Sequence, residues 1–449
     1  MGRTRNVGCA AVIAAVGLGC AASAQTVPAG FTVTGFASSG VTSGTAMVRR
    51  PDGSMLVAVK EGTIRVFRNG FLTTPFYSFA GVSTSGEGGV IGIEIDPNYA
   101  TNGFVYARVT RGTATTGGIV RLKANGDVAA AGSETLLFTI PVTGGIHQGG
   151  AVHFGPDGNL YFTVGDNGTS SNAALLSNLL GKIMRIKADG SIPADNPFYA
   201  TATGDNRAIW ARGLRNPYTF AFQPGTGRLH INHVGTQWEE VNVGAAGADY
   251  GWPSTEGTFT QSQHPTFTQP LYTYQTLPGA AIIGAAFYNP QTNRFPAEYR
   301  GQYFFGDYVR GTIRRLDPAT GAVTDFGTGF TAMVGLDVQP DGRLVVLARS
   351  STPIRYIDYP IGACCAGASC SVTDRAGCGP WEYHGEGTAC SAVACCRVNF
   401  NYDEALSTQD VFDFLNAWFA GDARANFNGV DGLNVQDVFD YLQAWFVGC

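Results

Sequence analysis

Cysteine is missing from the whole stretch between Gln25 and Ala363, so no disulfide or thiolate metal site can organise the larger part of this 449-residue chain. Charged residues are also scarce, at 14%, well below the usual share of about 25%. That shortage speaks against a coiled coil, a helical bundle or an acidic disordered protein. No apolar run after the first 24 residues approaches the length of a membrane helix. A basic footprint for nucleic acid is absent too: from Gln25 to Ile361 there are 24 basic against 23 acidic residues. Glycine, at 61 residues, is what the chain has in excess. Together with 44% hydrophobic residues it predicts a turn-rich all-β protein with a substantial core.

The first 24 residues are set apart. Arg3 and Arg5 precede an apolar run from Val7 to Leu18, and Ala22-Ser23-Ala24 offers small residues before Gln25. This reads as a signal peptide cleaved near Ala24, with lipidation at Cys20 as the alternative, and predicts a secreted protein without a transmembrane segment.

From Gln25 to Pro360 one pattern recurs: an apolar residue, a proline turn, then an alternating strand. It occurs at Pro51, Pro97, Pro156, Pro224, Pro296 and Pro340. In Pro-Asp-Gly turns, proline presets φ, aspartate caps and glycine takes the left-handed position. Six copies predict a six-bladed β-propeller over 25–360, with a β-sandwich as the alternative. Ligands of propellers sit at the mouth of the central channel, so the Gly-rich segments leading into the blades hold the candidate site. These carry Glu87, His147, Asp166, Arg215 and Asn216, followed by Gly235 and Thr236. Histidine suits a general base near neutral pH, and arginine suits a carboxylate. Structural roles for the same residues, as loop and turn anchors, are the competing reading.

The strings GEGGVIGIEIDPNYATNGFVY, HQGGAVHFGPDGNLYFTVGD, LLGKIMRIKADGSIPADNPF, IWARGLRNPYTFAFQP and WEEVNVGAAGADYGWP resemble the glucose/sorbosone dehydrogenase family over most of Val27–Tyr359. The resemblance implies a soluble propeller enzyme that uses pyrroloquinoline quinone (PQQ) and calcium to oxidise an aldose or oligosaccharide. It implies His147 as the base at the anomeric hydroxyl, Asp166 as its support, and Arg215 and Asn216 at cofactor and substrate. It also places Gly235 and Thr236 where backbone carbonyls hold the calcium. This chain departs at Glu87, where quinone-using members carry Gln, and at Val309, Val334 and Leu336, where they carry basic residues. The alternatives are a noncatalytic carbohydrate- or partner-binding propeller and a calcium-dependent hydrolase.

All eight remaining cysteines fall from Cys364 onward. The segment 361–396 is expected to be held by disulfides, with metal binding as the other reading, and Cys449 to close on Cys395 or Cys396. Residues 397–449 hold eight acids against two arginines and contain a duplication, with Asn399 and Asn426 offset by 27. Each half predicts an oxygen-rich loop and a helix. Loop ligands for calcium would be Asn399, Asn401, Asp403, Ser407 and Asp410, then Asn426, Asn428, Asn434 and Asp437. Val411, Phe412, Phe414, Leu415, Trp418 and Phe419 are expected on one apolar helix face. The duplication resembles a type I dockerin module, which implies a cohesin-like partner. The alternative is a metal-free helical pair.

Overall fold

The computed structural model describes residues 25–112, 117–142, 145–366, 369–378, 382–388, 390, 398–401, 406–430 and 432–448. The signal segment, Asp403, and the proposed Cys449 pairing with Cys395 or Cys396 lie outside them.

Six antiparallel sheets follow one another along the chain, and each touches the next at that next sheet's innermost strand. The innermost strands are Gly44–Arg49, Val90–Ile95, Val152–Phe154, Asn216–Phe222, Ile282–Phe287 and Met333–Val338, here blades 1 to 6. The sixth returns to the first, so the sheets form a closed ring, a propeller. Each of the six prolines lies in the turn between a blade's first and second strand. That is where a preset φ and a missing N–H cost nothing to the ladder.

Second strands such as Met55–Val59, Leu160–Val164 and Leu344–Ala348 are buried throughout, because neighbouring blades cover both faces. The apolar cores accordingly lie between blades. The innermost strands, or in blade 3 the residue just before one, instead present small residues, Ala46, Gly92, Ala151, Gly284 and Gly335, where they line a narrow central channel. A Cβ at Gly92 would lie 2.0 Å from the Gly150 carbonyl of the next blade, so this approach requires glycine. In five blades the innermost strand bulges near one end, between Gly44 and Ala46, Val90 and Gly92, Pro217 and Thr219, Ile283 and Ala285, and Met333 and Gly335. Bulges kink strands and re-aim side chains. Here they form one rim of the channel.

Closure depends on the N-terminal strand. Thr32–Phe36 pairs with Ile354–Asp358 and becomes the outer strand of blade 6. Phe31, just before it, meets Phe295, Tyr299, Phe326 and Tyr359 at centroid distances of 4.7–5.3 Å, all edge-on.

Beyond the ring, a three-stranded sheet is stapled by the Cys364–Cys378 and Cys370–Cys390 disulfides, with Cys365 also oxidised. Two helices follow, Thr408–Phe419 and Val435–Val447. Ser407 and Asn434, read from the sequence as calcium ligands, are their N-caps. Asp410 and Asp437 complete the capping boxes, fully buried, and accept from the Asn401 and Asn428 N–H groups as well. Asn426 and Asn428 accept loop N–H groups from Gly429 and Val430, and Asn399 is buried. No cluster of three His, Cys, Asp or Glu side chains suited to a metal occurs among the described residues.

The single apolar face expected for the first helix is corrected. Phe414 stacks on Tyr441 at 3.9 Å, and Val411, Leu415 and Trp418 pack beside it, but Phe412 is 60% and Phe419 78% exposed. The packed set follows i, i+3, i+4, i+7, which turns positions 412 and 419 away from the partner helix.

Phe31→Ala should destabilise the propeller by about 3 kcal/mol in chemical denaturation, because it empties the seat of the closing strand. An unchanged midpoint would mean that the ring does not depend on this closure.

Candidate active site at the channel mouth

The bulged rim gathers the residues singled out in the sequence. His147 adopts a left-handed backbone, φ +53, which turns its imidazole inward from the loop leading into blade 3. Its Nδ1 lies 2.7 Å from Oδ1 of Asp166, which follows the second strand of the same blade. Gly165 makes this approach feasible: a Cβ there would sit 2.1 Å from the His147 carbonyl.

Asp166 is buried and held at several points. Its Oδ1 also accepts from the Gly168 N–H at 2.8 Å, and its Oδ2 from the Trp252 indole at 3.0 Å. Burial works to raise its pKa, but the bonds from His147, Gly168 and Trp252 outweigh it and hold the carboxyl below its ordinary range. Asp166 is therefore an ionised acceptor at neutral pH. Nδ1 of His147 carries the proton toward it, and Nε2, with no hydrogen-bond partner among the described residues, is left as the basic nitrogen.

Glu87, Gln148 and Asn216 form a second group. The Glu87 carboxylate accepts from the Gln148 N–H at 3.0 Å and from Asn216 Nδ2 at 3.2 Å. Asn216 Oδ1 accepts from the Gly149 N–H at 3.0 Å. Asn216, expected at the ligand, is thus also a clip that ties blades 2, 3 and 4 beneath His147.

Arg215 is placed by a relay. Its N–H donates to His233 Nε2 at 2.7 Å, and His233 Nδ1 lies 2.8 Å from buried Glu240. The guanidinium donates to the Val234 and Gly235 carbonyls at 3.2 and 3.0 Å and lies 5.9 Å over the Trp252 ring. The Gly235 carbonyl, expected to face calcium, therefore already faces a cation. On the far side of this turn, Glu256 collects the N–H groups of Thr236, Gln237 and Trp238.

Sequence reasoning missed Trp252 as the second anchor of Asp166, although it lies in the string WEEVNVGAAGADYGWP, and the His233–Glu240 relay behind Arg215. The Trp252 bond crosses between blades, over 86 residues of sequence, and the relay depends on the pairing of His233 with Glu240 on adjacent strands of one blade, neither of which spacing encodes.

Asp166→Asn tests the carboxylate's role in the fold. A depressed pKa contributes stability above the ordinary carboxylate range of about 4, and that share is lost as pH falls through the folded value. The melting deficit of the variant should be present at pH 6 and shrink in more acidic buffer. A deficit independent of pH would show that the charge is not what matters.

The family model for glucose/sorbosone dehydrogenase matches residues 42–354. The Synechocystis protein slr1608 is 30% identical over 338 residues, covering 66% of this chain and 79% of that protein. The aldose sugar dehydrogenase YliI of Escherichia coli is 28% identical over 333 residues, covering 68% and 87%. The structure of the PQQ-bound aldose sugar dehydrogenase from Streptomyces coelicolor aligns with a TM-score of 0.61 at 26% identity, covering 74% of this chain and 99% of that one. On the matched blades and the site they carry, the chain belongs to the glucose/sorbosone dehydrogenase family.

Proposed function

We propose that the protein is an exported PQQ-dependent aldose dehydrogenase that oxidises the anomeric carbon of a sugar, with His147 as general base. The observation that carries this reading is the 2.7 Å bond from His147 Nδ1 to a buried, ionised Asp166. It fixes the tautomer whose Nε2 can accept the hydroxyl proton. As that proton leaves, the imidazolium is stabilised by the same carboxylate, and the Trp252 indole keeps the carboxylate in line. A quinone held beside His147 would supply the hydride acceptor for this oxidation.

The donor set fits a planar polyanion. Arg215 and Asn216 lie together at the rim, and the Glu87 charge is turned onto N–H donors instead of the mouth. Val334 and Leu336, uncharged where the family carries basic residues, belong to the wall of the narrow channel. Calcium suits the hard carbonyl oxygens of Gly235 and Thr236, where it would compete with Arg215 for the Gly235 oxygen.

In the same reading the tail docks the enzyme to a cohesin-like protein. What supports this is the repetition of exposed aromatics at equivalent places in the two helices, Phe412 with Phe439 and Phe419 with Phe446. Oxidised cysteines in the preceding sheet support export. No helix among the described residues is long and apolar enough to cross a membrane.

Dye reduction after reconstitution with quinone and calcium, over a panel of aldoses, tests the activity. His147→Ala should lower kcat by roughly 10²–10⁴-fold while leaving quinone binding in place. Full activity in that variant would remove His147 as the base. Failure of the wild type to bind quinone would favour the noncatalytic binding propeller.

A further inference from the structure

Equivalent positions in the blades show where further charge enters the mouth. In four blades the residue just after the second strand donates its N–H to the carbonyl of the residue before or at the start of the innermost strand. These bonds are Lys60 to Ser43, Thr110 to Gly89, Tyr308 to Ala281 and Arg349 to Ala332. Gly165, just before Asp166, and Gly235 follow the second strands of the remaining two blades. The six positions therefore form a ring around the mouth, in which blade 6 contributes Arg349 and its neighbour blade 1 contributes Lys60.

The two cations are engaged differently. Lys60 Nζ donates to the Gly86 carbonyl at 2.6 Å and so places positive charge on the loop that carries Glu87. Arg349 makes one side-chain bond, from Nε to the Gly44 carbonyl at 3.4 Å. No carboxylate lies in ion-pair range of it, and its terminal nitrogens have no partner, among the described residues. Its charge nevertheless reaches Tyr218 on the innermost strand of blade 4. The Tyr218 hydroxyl, raised in pKa first by burial, is drawn down by Arg349 and pushed up by Glu87 and Tyr308. The bond to the Gly44 carbonyl, at the bulged start of the innermost strand of blade 1, sets the guanidinium at the rim of the channel.

We infer that Arg349 is a carboxylate anchor for the ligand of this mouth, supplying from the end of a blade-6 strand the positive charge that Val309, Val334 and Leu336 do not. The inference rests on the quinone reading above. Arg215, held on the Val234 and Gly235 carbonyls of blade 4, and Arg349, held on the Gly44 carbonyl of blade 1, place two cations on the rim. A polycarboxylate can bridge them while its reactive part lies near His147. The ionised guanidinium can donate to such a ligand through both terminal nitrogens.

The test is direct binding of PQQ to the full-length protein with calcium, followed by tryptophan fluorescence and equilibrium dialysis, for wild type, Arg349→Met and Arg349→Lys. The methionine variant should bind roughly tenfold to a hundredfold more weakly, with a flatter dependence on salt, and lysine should recover part of the loss. Melting of the three proteins without ligand should coincide, which separates lost binding from lost folding. If Arg349→Met is unstable, the lysine variant and the salt dependence of the wild type carry the comparison. Equal binding by wild type and the folded variants would overturn the inference alone. Absence of binding by wild type would overturn the quinone reading and this inference with it.

Discussion

A ring of sheets is tied shut only if its last blade is completed by the other end of the chain. Here Thr32–Phe36 lies against Ile354–Asp358, more than 300 residues away in sequence, with Phe31 inserted among four aromatic rings. The cores lie between blades, so the burial in one blade depends on its neighbours staying in place. The closure therefore transmits its constraint around the whole circle. It keeps the innermost strands close enough for the Gly92 backbone to meet the Gly150 carbonyl. That convergence narrows the channel and leaves the mouth as the place where side chains from all blades can meet.

The mouth follows from this constraint. Bulges in five innermost strands sit at the same end, and the residues that follow the second strands stand around them. His147 and Asp166 belong to one blade, yet their alignment is completed from another, by Trp252. Arg215 is likewise set by a histidine and a glutamate of its own sheet before it reaches the rim. A site assembled this way has little slack, because each side chain is fixed by a neighbour whose backbone is already fixed by the ring.

Much of this was legible before any coordinates, for a physical reason. Proline and glycine restrict φ locally, so the six turns at Pro51, Pro97, Pro156, Pro224, Pro296 and Pro340 announce themselves in the sequence. His147, Asp166, Arg215 and Asn216 stood out because polar residues among glycines at the ends of apolar strands have few other uses. The closing strand was not legible, since TVTGF has no local signal for a partner at the far end of the chain. Arg349 was missed for a related reason. It directly follows LVVLA, where blade 3 has Gly165 after LYFTV, and only the shared order of strands in the blades brings these places to the same level. Phe412 and Phe419 show the converse, since apolar character does not by itself mean burial and the packed stripe of this helix is only four residues, Val411, Phe414, Leu415 and Trp418.

The body carries almost equal numbers of acids and bases, so composition alone suggests an electrostatically neutral mouth. The hydrogen bonds argue otherwise. Glu87, Asp166, Glu240 and Glu256 each turn their oxygens onto N–H donors of the protein, from Gln148 and Asn216, from Gly168 and Trp252, from Gly257 and Asn242, and from Thr236 and Gln237. Their negative charge is spent within the walls. The cations are bound instead to single carbonyls or carbonyl pairs, which hold them in place without neutralising them: Lys60 on Gly86, Arg215 on Val234 and Gly235, Arg349 on Gly44. A ligand carboxylate that reaches the opening therefore meets positive charge whose partners are dipoles, while the carboxylates beneath are already satisfied. Local pairing, and not net charge, decides which kind of ligand this mouth can hold.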